Sequence, residues 1–421
     1  MRERRGIKSK TTIIDCIAFG ILVAILSYFL WRLVYCQTIY AGRDDGYRSD
    51  ILAYMQTIQG IESGYSFPYP IFFWIGKIFN LFMPIDQAVT WAEVLLNALA
   101  LVITRYYLGK IVIKEGGIAD RWYNQLLMSF ITVACFMLSM WWLPRFGKYV
   151  LPFKYQVYLG TYTGNPWHNA TYIATRPFAI AAFFSFAAIL EYYEAKAEIK
   201  DYIVFAGSLL LTTMTKPSFT FVFVSCAGIV MAYRLVRSKF TNFKNTMYLT
   251  VCFIPTFAAL LYQFHDVFGG GNTSEEHGIG FGWFDVWKTY NPNIVAAIFY
   301  ANAFSIVFLL LFASELKKNT MYRFSLIFFV VSILEAGILY EKGERFIHFN
   351  FGWGYMHGIF FFELVSCILL LKKTFLKENV FKSVILWFFF LIHLVAGIFY
   401  FRGLYCGLDY DTLLPCTWLL Q

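Results

Sequence analysis

The hydrophobic positions of the chain fall in long runs separated by short polar segments. Each run has roughly 17 to 22 residues, enough for a helix to cross a bilayer. The runs predict about eleven transmembrane helices, near 12–35, 87–108, 124–144, 177–195, 201–216, 218–235, 246–264, 293–313, 324–340, 355–371 and 383–402. Thr215-Lys216-Pro217 separates the fifth from the sixth and predicts either a turn at the interface or one kinked helix.

Two shorter segments differ from these runs. The stretch 51–64 predicts an amphipathic helix on the membrane surface, and 67–84 predicts an interfacial or half-inserted helix. No soluble domain interrupts the pattern. The sequence therefore predicts an all-α polytopic membrane protein, with residues 1–421 forming a single integral membrane domain.

Composition excludes several other classes. Hydrophobic residues make up 59% of the chain and charged residues only 14%, against about 25% charged in ordinary soluble domains. Soluble enzymes, disulfide scaffolds and disordered proteins are thereby excluded. The net charge of +9 comes from basic residues at the ends of apolar runs. These residues indicate orientation in a lipid bilayer, and no nucleic-acid partner is expected.

The basic residues predict that the N-terminus is cytoplasmic. In that orientation, 21 of the 35 lysines and arginines lie at cytoplasmic helix ends, as the positive-inside rule requires. The outer loops carry acids, histidines, prolines and glycines instead, and they span 36–86, 145–176, 265–292 and 341–354. The active site is therefore expected on the extracytoplasmic face. An uncleaved first helix is compatible with a bacterial plasma membrane.

The first outer loop contains two adjacent carboxylates, Asp44 and Asp45. Adjacent acids repel one another, which raises the pKa of one of them and suits a general base. In the alternative interpretation, Arg43 and Arg48 neutralise the acids in a solvated turn. Spacing alone does not choose between the two aspartates as base.

The densest polar cluster lies at 341–357, between two predicted helices. It contains Glu341, Glu344, Arg345 and His348, interleaved with aromatic residues. The planar fork of an arginine suits a phosphate, and aromatic faces suit a sugar or a prenyl chain. The alternative is an aromatic belt with snorkelling charges.

Two other outer loops carry weaker signals. Trp167 and His168 lie in an Asn-Pro-Trp-His segment, where tryptophan suits a sugar ring and histidine titrates near neutrality. They are equally typical of an interfacial anchor. The Gly-rich loop 269–280 contains Glu275, Glu276 and His277, without metal-ligand spacing. A divalent metal such as Mg or Mn is compatible with this chemistry but not required.

The order of these elements resembles the C-type (GT-C) superfamily of membrane glycosyltransferases. Asp44 and Asp45 after helix one, the 51–64 helix and Pro68-Tyr69-Pro70-Ile71-Phe72-Phe73-Trp74 follow its order. Leu209 to Pro217 and Ala174-Thr175-Arg176-Pro177 also look like segments of this superfamily, the latter opening a helix. Tyr69-Pro70 departs from the Pro-Pro-Leu signature of some members, and a C-terminal soluble domain is lacking.

The resemblance implies transfer of a sugar from a polyprenyl-phosphate or polyprenyl-pyrophosphate donor to a glycan, lipid or protein acceptor, with inversion. A first-loop aspartate, Asp44 or Asp45, would be the base. Arg345, helped by Lys216, Arg176 or His348, would hold the departing phosphate, and Glu341, Glu344, Trp167 and His168 would complete the substrate site.

Two alternatives remain open at this stage. A polymerase or ligase of cell-surface polysaccharide would depend on Arg345 and His348 more than on a first-loop carboxylate. A lipid-linked sugar transporter or flippase would need charges near the bilayer midplane. Complementary charges on paired helices are not apparent from the sequence, which favours chemistry at the rim.

Overall fold

The computed structural model describes residues 2–43, 45–141, 157–194, 198–268 and 278–415. Its long helices are α1 (Arg2–Ile39), α4 (Ile85–Gly109), α5 (Trp122–Cys135), α6 (Ala170–Tyr192), α7 (Ile199–Thr215), α8 (Ser218–Arg237), α10 (Ile254–Phe268), α12 (Ile294–Leu311), α14 (Thr320–Ile338), α15 (Gly352–Leu376) and α16 (Val380–Tyr405). The short ones are α2 (Ile51–Gln59), α3 (Ile71–Asn80), α9 (Phe243–Val251), α11 (Asp285–Tyr290) and α13 (Glu315–Lys318).

The described part of the chain is mostly helical and polytopic, as the hydropathy pattern predicts. Seven helices are long and apolar enough to cross a membrane, or eight if the bent pair α9–α10 is one span. That pair replaces the single helix predicted over 246–264 and is bent by 45°. Pro255 begins the second half, and its missing N–H cannot continue the hydrogen bonding of α9.

Three further details differ from the predicted elements. The helix predicted over 124–144 ends at Cys135. A short antiparallel pair, β1 (Ile279–Phe281) and β2 (Leu339–Glu341), adds a two-stranded sheet to the all-α architecture. The amphipathic surface helix is shorter than predicted and ends at Gln59, where Gly60 adopts a left-handed conformation and caps it.

The core lies around α15, in which every residue from Gly354 to Leu371 is buried. This helix packs against α8, α12, α14 and α16, while α6 packs against α4 and α7. Gly164 lets the segment before α6 approach α15, because a Cβ at this position would lie 3.0 Å from Cα of Phe360. Helix α1 lies at the periphery.

The break at Lys216-Pro217 separates two helices, α7 and α8. Lys216 has extended backbone angles, and Pro217 is the N-cap of α8. Arg176-Pro177, in contrast, does not open a helix. The helix begins at Ala170, behind the N-cap Asn169, so Arg176 and Pro177 lie well inside α6. The side chain of Asn169 accepts a hydrogen bond from the backbone of Tyr172, and this cap sets the earlier start.

One end of the helix bundle, which we name the capped end, is covered by several short elements. They are α2, α3, the segment 157–169, the turn 343–348 and the segment 406–415. Helices α6 and α15 begin at this end, and α4 also runs away from it. Polar side chains near the beginnings of α2, α6 and α8 lie close together here.

Candidate functional site

Asn169 joins the first loop to the beginning of α6. Its amide nitrogen donates hydrogen bonds to the carboxylate of Asp50, at 2.6 Å, and to the hydroxyl of Tyr54, at 3.2 Å. Its amide oxygen caps α6 by accepting from the backbone N–H of Tyr172 at 2.9 Å. The side chain is buried, so this cap also fixes the position of Asp50.

Lys216 reaches the same amide from the break between α7 and α8. Its Nζ donates to Oδ1 of Asn169 and to the hydroxyl of Thr171, each at 3.1 Å. The ammonium lies 4.4 Å from the ring centroid of Trp353, a cation–π contact. Burial lowers the pKa of Lys216 to about 8, although the charge of Asp50 opposes this shift. An ammonium has three donors, so one remains for a ligand.

Asp50 is the carboxylate that the fold brings to this cluster. It precedes α2 directly, and its side chain is exposed even though one oxygen binds Asn169. Burial, together with the charge of Asp50, raises the pKa of the Tyr54 hydroxyl well above its ordinary value. Asp50 thus combines access to solvent with a fixed position, as a general base requires.

The carboxylates predicted from the sequence lie elsewhere in the first loop. Asp44 lies outside the described residues. Asp45 is exposed, and within the described chain no hydrogen bond or ion pair joins it to the cluster. Asp50 is a single carboxylate without an acidic neighbour, so local sequence does not distinguish it from an ordinary helix N-cap. The available signal was Tyr54, a polar hydroxyl four residues from Asp50 on the apolar side of α2.

Tyr69 connects this cluster to the turn 343–348. Its hydroxyl lies near Thr171 and within reach of the charges of Asp50 and Arg345. Arg345 is half-buried, and its guanidinium has no hydrogen bond or ion pair within the described residues. We name the six residues Asp50, Tyr54, Tyr69, Asn169, Thr171 and Lys216 the Asn169 cluster. Arg345 lies near enough for its charge to act on Tyr69.

The other polar residues of the 341–357 region do not join the cluster. Glu341 lies in β2 and accepts a hydrogen bond from the amide of Asn350 at 2.6 Å. Glu344 and His348 are exposed in the 3₁₀ turn, and no hydrogen bond between described residues holds either side chain.

Trp167 and His168 are interior residues, whereas the sequence leaves a sugar-stacking site and an interfacial anchor as alternatives. Trp167 is 1% exposed and packs edge-on against Phe401. The His168 ring stacks on Tyr410 with centroids 4.1 Å apart. Burial and the nearby charge of Lys216 lower the pKa of His168 to about 3. This corrects the titration near neutrality expected for an accessible histidine, and the ring stays neutral at physiological pH.

Arg176 lies deeper in the bundle. It donates to the carbonyl oxygen of Gly164 at 3.1 Å, and its guanidinium is surrounded by the rings of Phe136, Trp167, Tyr172 and Phe360 at 5.2 to 5.6 Å. Its Nε and Nη1 atoms have no hydrogen-bond partner among the described residues, nor does either carboxylate oxygen of Glu93 on α4. The two charges interact without forming an ion pair.

An ion pair between α4 and α1 and a polar contact between α15 and α16 link helices within the bundle, whereas the sequence interpretation saw no complementary charges on paired helices. Arg105 of α4 forms an ion pair with Asp15 of α1 at 2.8 Å. On α15, Glu363 lies 3.7 Å from the ring of His393 on α16. These contacts are not visible from hydropathy because each charge is isolated in its own apolar run.

The described residues contain no group of three histidine, cysteine or acidic side chains placed to hold a metal ion. Glu275, Glu276 and His277 lie outside the described residues. The chemistry available at the Asn169 cluster is therefore that of a carboxylate, an ammonium and a neighbouring guanidinium, surrounded by aromatic rings. No protein-family model matches the chain, and the comparison with curated proteins gives no match.

Proposed function

We propose that this protein is a membrane glycosyltransferase that transfers a sugar from a polyprenyl-phosphate or polyprenyl-pyrophosphate donor to an acceptor hydroxyl. The observation that carries this proposal is the position of Asp50 and Lys216 on the two ends of the Asn169 amide, with the charge of Arg345 acting on Tyr69 of the same cluster. A base and two phosphate-binding cations are the groups that such a transfer needs.

The reaction follows from the roles that these three side chains can take. The acceptor oxygen attacks the anomeric carbon while Asp50 takes the acceptor proton. The bond between that carbon and the phosphate oxygen breaks, and its electron pair leaves with the phosphate. Lys216 and Arg345 stabilise the charge that develops there. Attack from the face opposite the leaving phosphate inverts the anomeric carbon.

Surrounding residues support the same assignment. Trp353 and Tyr69 offer aromatic faces beside Lys216 and Arg345, which suits a sugar ring or an isoprenoid chain. We place the capped end on the extracytoplasmic side of a bacterial plasma membrane, with the N-terminus cytoplasmic and about eleven spans. A divalent metal is not needed for these steps.

The decisive experiment measures sugar transfer by the purified protein in lipid, with a set of polyprenyl-phosphate donors. Asp50→Asn is expected to lower kcat by roughly 10²- to 10⁴-fold while donor binding is retained. Lys216→Ala and Arg345→Ala are expected to weaken donor binding as well. Asp45→Asn is the matched control, because it removes a carboxylate from the same loop without touching the cluster.

Each outcome separates the candidate functions. Loss of transfer in Asp45→Asn with full activity in Asp50→Asn would return the base to the pair predicted from the sequence. Activity that survives both changes but needs Arg345 and His348 would favour a polysaccharide polymerase or ligase.

A second candidate function is transport of a lipid-linked sugar between leaflets. The buried ionisable side chains of Glu93 and Arg176, which lie on α4 and α6 without forming an ion pair, favour it, because ionisable groups inside a membrane commonly mark a transport pathway. Movement of labelled lipid between leaflets, without turnover of any donor and abolished by Glu93→Gln, would support this function over the transferase.

A further inference from the structure

A second polar site lies at the opposite end of the bundle from the Asn169 cluster. A cavity of about 140 Å³ lies among the last turns of α4, α6 and α15 and the first turn of α14. Helix α4 changes here to π-helical geometry over Lys110–Glu115. Such π-helical turns are rare and often occur at functional sites.

The cavity contains two charges of each sign. Lys110 and Lys372 line it together with Glu115 and Glu191. Nζ of Lys110 lies 3.7 Å from Oε1 of Glu115. Lys372 and Glu191 form no hydrogen bond or ion pair with any described residue, so a cation and a carboxylate are both available to a ligand.

The inner part of the cavity wall is apolar. The ring of Tyr107 stacks on Phe184 with centroids 4.8 Å apart, and both rings line the cavity. The apolar spans of α4 and α6 end beside it, at Glu115 and Tyr192. A site with an apolar floor and a polar mouth, at the level where helices leave the bilayer, has the amphipathic character of a phospholipid at its headgroup.

We propose that this cavity binds a headgroup that carries both a phosphate and a primary amine, as in an ethanolamine phospholipid. Lys110 and Lys372 would hold the phosphate, and Glu115 and Glu191 would accept hydrogen bonds from the ammonium. A quaternary ammonium has no N–H to donate, and an anionic headgroup without an amine leaves both glutamates facing a negative charge. This inference is independent of the proposed transferase activity.

The test is a lipid competition followed by native mass spectrometry. Protein purified in detergent is mixed with equal amounts of phosphatidylethanolamine, phosphatidylcholine and phosphatidylglycerol with identical acyl chains. Retention of the ethanolamine lipid is expected to exceed that of the other two by about tenfold. This factor corresponds to the free energy of about one charge-assisted hydrogen bond. Equal retention of all three lipids would overturn the proposal.

Two variants and a matched control identify the site. Lys372→Ala is expected to lower retention of the ethanolamine lipid by about tenfold. Glu191→Gln is expected to shift the preference toward the anionic glycerol lipid, because it removes a negative charge from the cavity. Lys377→Ala is the control, since Lys377 is exposed at the end of α15 and lies outside the cavity. Variants indistinguishable from the control would also overturn the proposal.

A soluble competitor distinguishes a site that binds the free headgroup from a site that needs the whole lipid. Phosphoethanolamine without acyl chains displaces the bound lipid if the headgroup alone supplies the affinity. Displacement of the lipid only by another ethanolamine lipid means that the apolar floor of Tyr107 and Phe184 contributes as well. Either result supports a headgroup site, provided that Lys372→Ala abolishes the effect.

Discussion

The amide nitrogen of Asn169 lies 2.6 Å from a carboxylate oxygen of Asp50, 119 residues away in the chain. This hydrogen bond fixes the only carboxylate of the described first loop that reaches the Asn169 cluster. Because the same amide also accepts from Lys216, the carboxylate and the ammonium are held by opposite ends of one side chain. The separation of the two charges is thus set by an amide that is itself anchored as a helix cap.

We predict that Asn169→Asp separates stability from activity. Aspartate keeps the N-cap of α6 and an acceptor for Lys216, so the melting temperature should stay within a few degrees. It loses the donor to Asp50 and adds a like charge beside it, so transfer should fall by at least about tenfold. Asn169→Ala, which loses the cap as well, is expected to cost about 1 to 3 kcal/mol of unfolding free energy.

Paired melting and transfer measurements check this prediction. Thr171→Val is a useful comparison, because it removes one acceptor of Lys216 without adding charge. If Asn169→Asp transfers sugar at the normal rate, the bond between Asn169 and Asp50 has no part in catalysis.

Activity is predicted to fall as the pH rises through about 8. Burial lowers the pKa of Lys216 to about 8, so the ammonium loses its proton above that pH and no longer stabilises the leaving phosphate. The rate should then decrease about tenfold per pH unit. Lys216→Arg should have a lower maximum rate but no such decrease below pH 10, because a guanidinium stays charged.

The control for this profile is Lys77→Arg, since Lys77 is an exposed lysine of α3. Its profile should match that of the unaltered protein. A decrease at the same pH in Lys216→Arg would assign the titration to another group.

The sequence predicts the helical membrane architecture because hydropathy acts over whole segments. It also predicts the break at Lys216-Pro217, since proline disrupts helix hydrogen bonding locally. The sequence does not predict which residues come together at the site. Of the two first-loop aspartates Asp45 and Asp50, only Asp50 forms a hydrogen bond with Asn169. This hydrogen bond depends on how α2 packs near α6. No local pattern encodes a contact between residues so far apart.

Trp167 and His168 show that local sequence does not predict burial either. Their residue types suit a sugar site, but both are buried, with Phe401 of α16 packed against Trp167 and Tyr410 stacked on His168. Burial is a property of the assembled tertiary structure. It lowers the pKa of His168, so the ring does not titrate near neutrality as its residue type suggests. Arg345 is only half-buried, and its role as a phosphate ligand stays a prediction.

His393 is predicted to be a structural residue that joins three elements. Helix α12 loses helical geometry at Asn302, and the backbone N–H of Phe304 donates instead to Nε2 of His393 at 3.3 Å. The other ring nitrogen, Nδ1, donates to the carbonyl oxygen of Ser139 at 2.7 Å. His393→Leu should cost about 2 to 4 kcal/mol, because it leaves both backbone groups buried and unpaired.

Unfolding in mixed micelles measures this cost. Leu391→Ala provides the comparison on the same helix, because Leu391 is 52% exposed and faces away from the bundle, and it should change stability by less than about 0.5 kcal/mol. Equal effects of the two substitutions would contradict the assignment.

The segment 406–415 is predicted to loosen as the pH rises from about 4 to about 7. Burial and the charge of Asp409 raise the pKa of Asp411 from 3.8 to about 7, although Arg48 opposes this shift. A carboxyl whose pKa is higher in the folded state favours folding while it is protonated. Its contribution is complete below pH 4 and is lost as the pH approaches and passes 7.

Hydrogen exchange of the segment 406–415 between pH 5 and pH 8 measures this effect, after correction for the intrinsic pH dependence of exchange. Protection should decrease with rising pH in the unaltered protein and stay constant in Asp411→Asn, which cannot ionise. Because this segment covers His168 through Tyr410, accessibility of the histidine to a chemical probe should increase in parallel. An unchanged pH dependence in Asp411→Asn would show that Asp411 does not control the opening.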